Sequence, residues 1–437
     1  MPDLKSFDFV TYTIVLAIII LFNYWVFRKN IWNILDPIIL FGLNVSFNLS
    51  IVAYFLIKDN VGQLTLYYIF LAWLFFIVGF KFTGKSWRAF KSKREMFARP
   101  KYFGPSKELT IYLLCILCVF QFLSVAFVLN KVGLGIIYGD VNPDILKVTI
   151  SQGGNGVVRH LSVLAAFLFL PLLVHAYVVH RMKYFVFFLI VWLFVYKTFL
   201  FPTSKAGFVF MLFDLGILIY FYSFIYKVKV LTLSRVFLLA ALAIVPALVV
   251  LVNVTSRYEV SIVSLLVERF IATGSGTYQF FVAGGEPILS ELPFSQKFLY
   301  YFDTFLSMLK VKDWEELTYV AYMTYQLTGK YLPGFGANPY FFMDSFFLFG
   351  WFGLIYCLLL GVLLRHVRNI KGNVLSFYVS IKLVLFVVVD PAIAQANMLA
   401  LLILGPPIAL IYIAAKSRGE RIIKLINLSG KRLGFKS

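Results

Sequence analysis

GFGANPYFFMDSFFLFGWFGLIYCLLLG, residues 334–361, changes character halfway along. It begins as a turn, with Gly334, Gly336, Asn338 and Pro339, and ends as an apolar run with the length of a helix. Between the two sits one carboxylate, Asp344. Apolar runs of this kind recur throughout the 437 residues, of which 61% are hydrophobic and 14% charged. Soluble domains are about half apolar and about a quarter charged. Several runs approach the roughly 20 residues that a helix needs to cross a bilayer. The chain therefore reads as an all-α polytopic membrane protein.

About eleven spans are expected, at 8–27, 37–57, 65–83, 109–130, 160–180, 184–200, 207–226, 236–255, 345–364, 374–391 and 398–415. The first, Phe9 to Phe27, lacks a small-residue cleavage site and is followed by Arg28 and Lys29, so it reads as a span and not as a removable leader. The net charge of +20 would suggest nucleic acid on a soluble protein. Here its distribution argues otherwise. The connector at 84–108 holds eight basic residues against Glu95 and Glu108, and the tail at 416–437 holds seven against Glu420. The turns at Arg181/Lys183, Lys227/Lys229/Arg235 and Arg365/Arg368/Lys371 are basic too. With eleven spans all of these fall on one side, which the positive-inside rule makes the cytoplasm. The C-terminus is then cytoplasmic, and nucleic acid loses its support as a partner.

Two longer connectors, 131–159 and 256–344, fall on the opposite side, with acidic and basic residues nearly balanced. The second is folded by expectation. SIVSLLVERFIA, FSQKFLYYFDTFLSMLK and LTYVAYMTYQLTG space their apolar residues as helices do, yet are too short or too polar to span. Cys115, Cys118 and Cys357 lie inside apolar runs and read as small buried hydrophobes, while the four histidines show no ligand spacing. No metal site and no cofactor is expected.

Charges near the outer face of a membrane are costly unless something uses them. Arg269 precedes a Gly-Ser-Gly turn, Arg257 directly follows a span, and Arg159 and His160 open one after SQGGNGVV. Lys147 lies upstream of them, and Lys205 sits in the tight turn FPTSKAG. Each cation singly could be a snorkelling anchor. As a set beside glycine-rich backbone, they suit an anionic headgroup such as a diphosphate, which Arg grips bidentately. Asp344 reads either as a helix-start acid or as a general base acting on a sugar hydroxyl, with Glu268 and His160 as rivals for that role. Asp214 and Lys382 lie within spans and could simply pair. Tyrosines and phenylalanines crowd the 256–344 connector, as an interfacial belt or a sugar-binding surface would require.

Taken in order, SQGGNGVVRHLSVLAAFLFLPLLVHA, FPTSKAGFVFMLFDLGILIYF, ERFIATGSGTYQF and the opening stretch resemble the corresponding segments of Wzy-type O-antigen polymerases, over roughly residues 130–365. The resemblance implies an all-helical membrane fold like that of the GT-C glycosyltransferases. It implies a bacterial inner-membrane location, with a metal-independent, inverting site facing the periplasm. Donor and acceptor would be undecaprenyl diphosphate-linked oligosaccharides, and a chain-length regulator could be a partner. The family's working arginines lie in its two long periplasmic loops, ahead of glycine. Arg269 matches that place in the second loop, and Lys147, upstream of Gly153, Gly154 and Gly156, holds it in the first. Neither keeps the family's Arg-to-Gly interval. An O-antigen ligase using the same donor, a flippase or transporter of lipid-linked sugars, and a non-catalytic scaffold stay open as other readings. Against a transporter, no internal repeat is visible.

Overall fold

The computed structural model describes residues 7–33, 35–58, 64–82, 104–132, 156–200, 205–225, 273–309, 311, 318–329, 340–369, 374–389 and 391–432; among these there is no strand. The helices are α1 (Phe9–Phe27), α2 (Pro37–Lys58), α3 (Leu64–Phe82), α4 (Lys107–Val132), α5 (Gly156–Val178), α6 (Lys183–Leu200) and α7 (Lys205–Ile225). Five short ones follow: α8 (Ser275–Phe281), α9 (Gly285–Ser290), α10 (Phe294–Tyr301), α11 (Asp303–Met308) and α12 (Tyr319–Thr328). The chain closes with α13 (Phe341–Phe349), α14 (Gly353–Val367), α15 (Val374–Val389) and α16 (Pro391–Arg432).

Seven segments are long and apolar enough to cross a membrane, carried by α1 to α5, by α13 and α14 together, and by α16. Shorter apolar helices, Lys183–Leu193, Phe213–Ser223 and Val374–Val388, stand where three further spans were expected. The expected span at 236–255 lies outside the described residues. These are the dimensions of a helical membrane protein.

Contacts between helix ends sort the bundle into two faces. At the first, Asp8 caps α1 by accepting from the amides of Val10 and Thr11 and pairs with Lys58 at 2.8 Å. Here α8 packs on α2, through Thr277 to Asn48 and Phe55 to Tyr278, and Gln395 donates to the carbonyl of Tyr301. Helices α8 to α12 gather on this side, which we call the cap face. At the other, the basic face, the Arg28–Asn30 turn meets Arg365 and Arg368, Asn33 donates to the carbonyl of Gly216, and His175 and His180 both reach the carbonyl of Pro105.

Small and polar residues set the packing between spans, because lipid offers no hydrophobic drive for helices to associate. At the crossing of α3 and α14, a Cβ on Gly79 would overlap the carbonyl of Leu358, and one on Gly361 would overlap that of Phe76. Buried Asn23 donates to Ser46 at 2.8 Å and accepts from the indole of Trp73 at 3.0 Å, stapling α1, α2 and α3.

The structure corrects several expectations. The span expected at 345–364 starts earlier, at Phe341, and is interrupted. Helix α13 stops at Phe349, Gly350 takes φ +56°, and a short 3-10 turn, Gly350–Phe352, leads into α14. Hydropathy could not show this, because the break is itself apolar. A left-handed φ favours glycine at 350, and Gly353 lies so close to the Ser345 carbonyl and the Tyr68 hydroxyl that a Cβ would overlap both. The basic tail expected from residue 416 is a continuation of α16, whose helix runs to Arg432. The expected 256–344 connector is indeed helical where described, and it includes α8 and α9, which the pattern did not reveal. Cys115 is exposed, whereas Cys357 is buried as expected.

Candidate functional site

Asp344 is fully buried. Extended Tyr340 leads into α13, and Asp344 sits in the first turn, where free amides favour negative charge. The cap does the burying. Thr318 caps α12 by accepting from the amide of Ala321, which fixes where Tyr319 begins the helix. Tyr319 donates its hydroxyl to Oδ1 of Asp344 and stacks on Phe347, with ring centroids 4.4 Å apart and planes 13° apart. Tyr301, at the end of α10, and Tyr356, in α14, lie near each other and within the field of the same carboxylate.

Burial pushes the hydroxyls of Tyr319 and Tyr301 well above the ordinary tyrosine value, and the charge of Asp344 adds to the push. Both therefore stay protonated at any physiological pH, and Tyr319 remains a donor to the carboxylate. Beneath them, Ser345 hydrogen-bonds Tyr68 at 2.9 Å and accepts from the thiol of Cys357 at 3.3 Å, which ties α13 to α3 and α14. The carboxylate thus sits between a rigid floor and a roof made of short helices.

The roof also carries a cation. Nζ of Lys297, on α10, lies 5.9 Å from the centroid of Phe347, the ring on which Tyr319 stacks. Burial lowers its pKa, and Glu286 offsets this in part without forming an ion pair among the described residues. Sequence reasoning missed Lys297, Tyr301, Tyr319 and Tyr356. The available signal was the spacing of Lys297 and Tyr301, four apart on one helix face.

Of the residues expected to catalyse or to bind the diphosphate, Asp344 alone has a described side-chain environment. Arg159 and His160 lie in the first turns of α5, and Lys205 opens α7, with their side-chain surroundings outside the description. The start of α5 is on the cap face, where Val163 packs near Phe305, Ala396 and Leu399. Glu268, Arg269, Arg257, Lys147 and Asn338 lie outside the described residues.

A second charged cluster is buried within the bundle. Lys382 donates to Asp214 at 2.5 Å and to the hydroxyl of Tyr378 at 2.7 Å, with the rings of Phe167 and Phe386 at 5.2 and 5.6 Å. The pair expected from sequence is therefore made, and it closes on itself between α7 and α15. No group of three or more metal-ligating side chains occurs among the described residues. Comparison of the chain with protein-family models, curated proteins and solved structures gave no match in any of the three.

Proposed function

We propose that the chain is a glycosyltransferase of the bacterial inner membrane that polymerises surface polysaccharide at the periplasmic face. It would move a growing glycan from undecaprenyl diphosphate onto the next lipid-linked repeat unit. The ordered resemblance over residues 130–365 suggests the reaction. The observation that carries the reading is the position of Asp344, a carboxylate buried between short cap-face helices and the membrane bundle.

In this reading the cap face is periplasmic. The acceptor hydroxyl takes the place of the Tyr319 hydroxyl at Asp344, which removes its proton as the oxygen attacks the anomeric carbon. The bond from that carbon to the diphosphate oxygen breaks, and its electron pair leaves with the diphosphate. Attack from the face opposite the leaving group inverts the centre. Arg269, Arg257, Arg159, Lys205 and Lys147 are the proposed cations for the developing charge. Both substrates are membrane-anchored, so much of the rate advantage comes from positioning.

Deleting the gene and resolving surface polysaccharide on a gel tests this. Polymerase loss leaves products of a single repeat unit. Complete loss of capped core indicates a ligase or a flippase instead and overturns the reading.

A further inference from the structure

Among the cap helices, α12 is held in its own way. Thr318 caps its start, and Gly329, in the left-handed region at φ +65°, ends it after ten residues. Burial along it runs one way. Tyr319, Val320 and Met323 are buried, whereas Tyr325, Gln326, Thr328 and Gly329 are exposed. The buried end is the end that covers Asp344.

The helices beneath α12 are fixed to the spans. Helix α8 is tied to α2 by the Thr277–Asn48 hydrogen bond and by Phe55 against Tyr278, with centroids 5.0 Å apart. Helix α10 is held at its last residue, where Gln395 of α16 donates to the Tyr301 carbonyl at 3.0 Å. On this platform α12 rests through small contacts. Thr324 donates to Gln279 at 2.9 Å, Tyr322 stacks on Tyr300 with centroids 5.4 Å apart, and Met323 lies against the backbone of Gly285. It meets the span below at Tyr319, whose neutral hydroxyl bonds Asp344 and whose ring lies on Phe347. None of these contacts is an ion pair or a backbone hydrogen bond. Neutral hydrogen bonds and ring stacks are individually weak, and elements held by them open locally while the rest of a fold stays closed. With Tyr319 in place Asp344 has no exposed surface, so any group that reacts there has to enter by moving its cover.

We propose that α12 is a lid over Asp344, held shut in this structure with Tyr319 as its plug. On opening, α12 swings away from α8, α9 and α10 as a unit and lifts the phenol off Phe347 and the carboxylate, while the platform stays on the spans. What enters rests on the function proposed above, in which it is an acceptor hydroxyl; the cover and its release do not. Shut, the lid keeps Asp344 from activating water, so a donor held nearby is not hydrolysed before an acceptor arrives.

Two measurements on the full-length protein in nanodiscs test this. Gln279→Cys with Thr324→Cys places a thiol on each side of the seam, and a short bifunctional methanethiosulfonate joins them until a reductant releases it. Exposure of Asp344 is read by its modification with dicyclohexylcarbodiimide, located by peptide mass spectrometry, with Asp214 inside the bundle as the internal reference. We expect joining the thiols to slow modification of Asp344 about tenfold or more, reduction to restore it, and Asp214 to respond to neither. Thr324→Ala, which loosens the same seam, should quicken modification of Asp344 severalfold. Equal modification of Asp344 in the joined and the released protein overturns the proposal. So does a Thr324→Ala protein in which Asp214 quickens as much as Asp344, because the whole molecule has then loosened. The polymer ladder separates the lid from the function it serves. Modification that follows the linker, beside an undiminished ladder from the joined protein, keeps the lid and removes Asp344 from polymerisation. A ladder lost on gene deletion, with modification indifferent to the linker, removes the lid alone.

Discussion

Two clusters of the bundle, Arg368 at the basic face and Asp344 at the cap face, meet different kinds of partner. At the basic face Arg368 is saturated. Its two terminal nitrogens meet both oxygens of Asp36 at 2.8 and 2.9 Å, one also reaches the Asn30 carbonyl, and the guanidinium lies 3.6 Å from the centroid of Trp32. Trp32 in turn stacks on Tyr220 at 4.0 Å, so one cation joins α2, α7 and α14. His175 is equally committed. The Pro105 carbonyl can only accept, so Nε2 carries the hydrogen, and Nδ1 accepts from Tyr222 at 2.7 Å. At the cap face the described partner of Asp344 is a neutral tyrosine hydroxyl, and Lys297 faces an aromatic ring. Charges that exist to hold helices together are neutralised where they stand.

If that contrast is right, cap-face substitutions remove chemistry and spare the fold, and basic-face substitutions do the reverse. The largest effect is expected for Asp344→Asn, which keeps shape and hydrogen bonding but cannot take a proton. Polymer longer than one repeat should fall by about a hundredfold or more, with normal amounts of protein in the membrane. Near-normal ladders would return Asp344 to the role of a helix-start acid. Arg269→Ala should act the same way, and a normal ladder from it would remove the diphosphate clamp.

Next in size is Arg368→Ala, which leaves buried Asp36 without its cation. The expected cost is about 3–5 kcal/mol, read as a lower melting temperature in detergent and lower yield, with unaltered chain length from the protein that folds. Shortened chains at unchanged stability would erase the distinction between the faces. Tyr319→Phe should fall between the classes. It removes one donor to Asp344 and keeps the stack on Phe347, so polymerisation should change by roughly fivefold and stability by about 1 kcal/mol.

The smallest effect is expected at Lys58→Ala. The Lys58 ammonium, with help from Thr11, holds the exposed Asp8 carboxyl well below its ordinary value of 3.8. A depressed carboxylate contributes stability above that ordinary value and loses it only as pH falls toward the depressed one. The variant should therefore melt slightly below wild type at neutral pH, a small shift because the pair is solvent-screened, and the difference should shrink as pH falls below about 4. A difference that grows in acid would show that Lys58 does not act through the Asp8 carboxylate.

The spans were legible because length and apolarity are properties of the segment itself. The Asp214–Lys382 pair was legible for a related reason: two opposite charges inside apolar runs have few stable fates other than each other. The Asp36–Arg368 pair was not, because its partners are 332 residues apart and each sits in a turn that reads as ordinary polar punctuation. The break at Gly350 was hidden by its own hydrophobicity. Asp344 was found as a residue but its cover was not, since nothing in GFGANPYFFMDS announces that Tyr319, 25 residues upstream, will close over it.

The glycine seam between α3 and α14 has a consequence for recognising kin. Gly79 and Gly361 each abut backbone, which has no rotamer to change, so even alanine would push the two helices apart. Any chain that preserves this crossing must retain glycine at both positions, or else shift the floor on which Ser345 and Asp344 rest. In a chain whose other segments can drift freely among apolar residues, these two positions, 282 apart, form a fixed point by which distant descendants can be aligned.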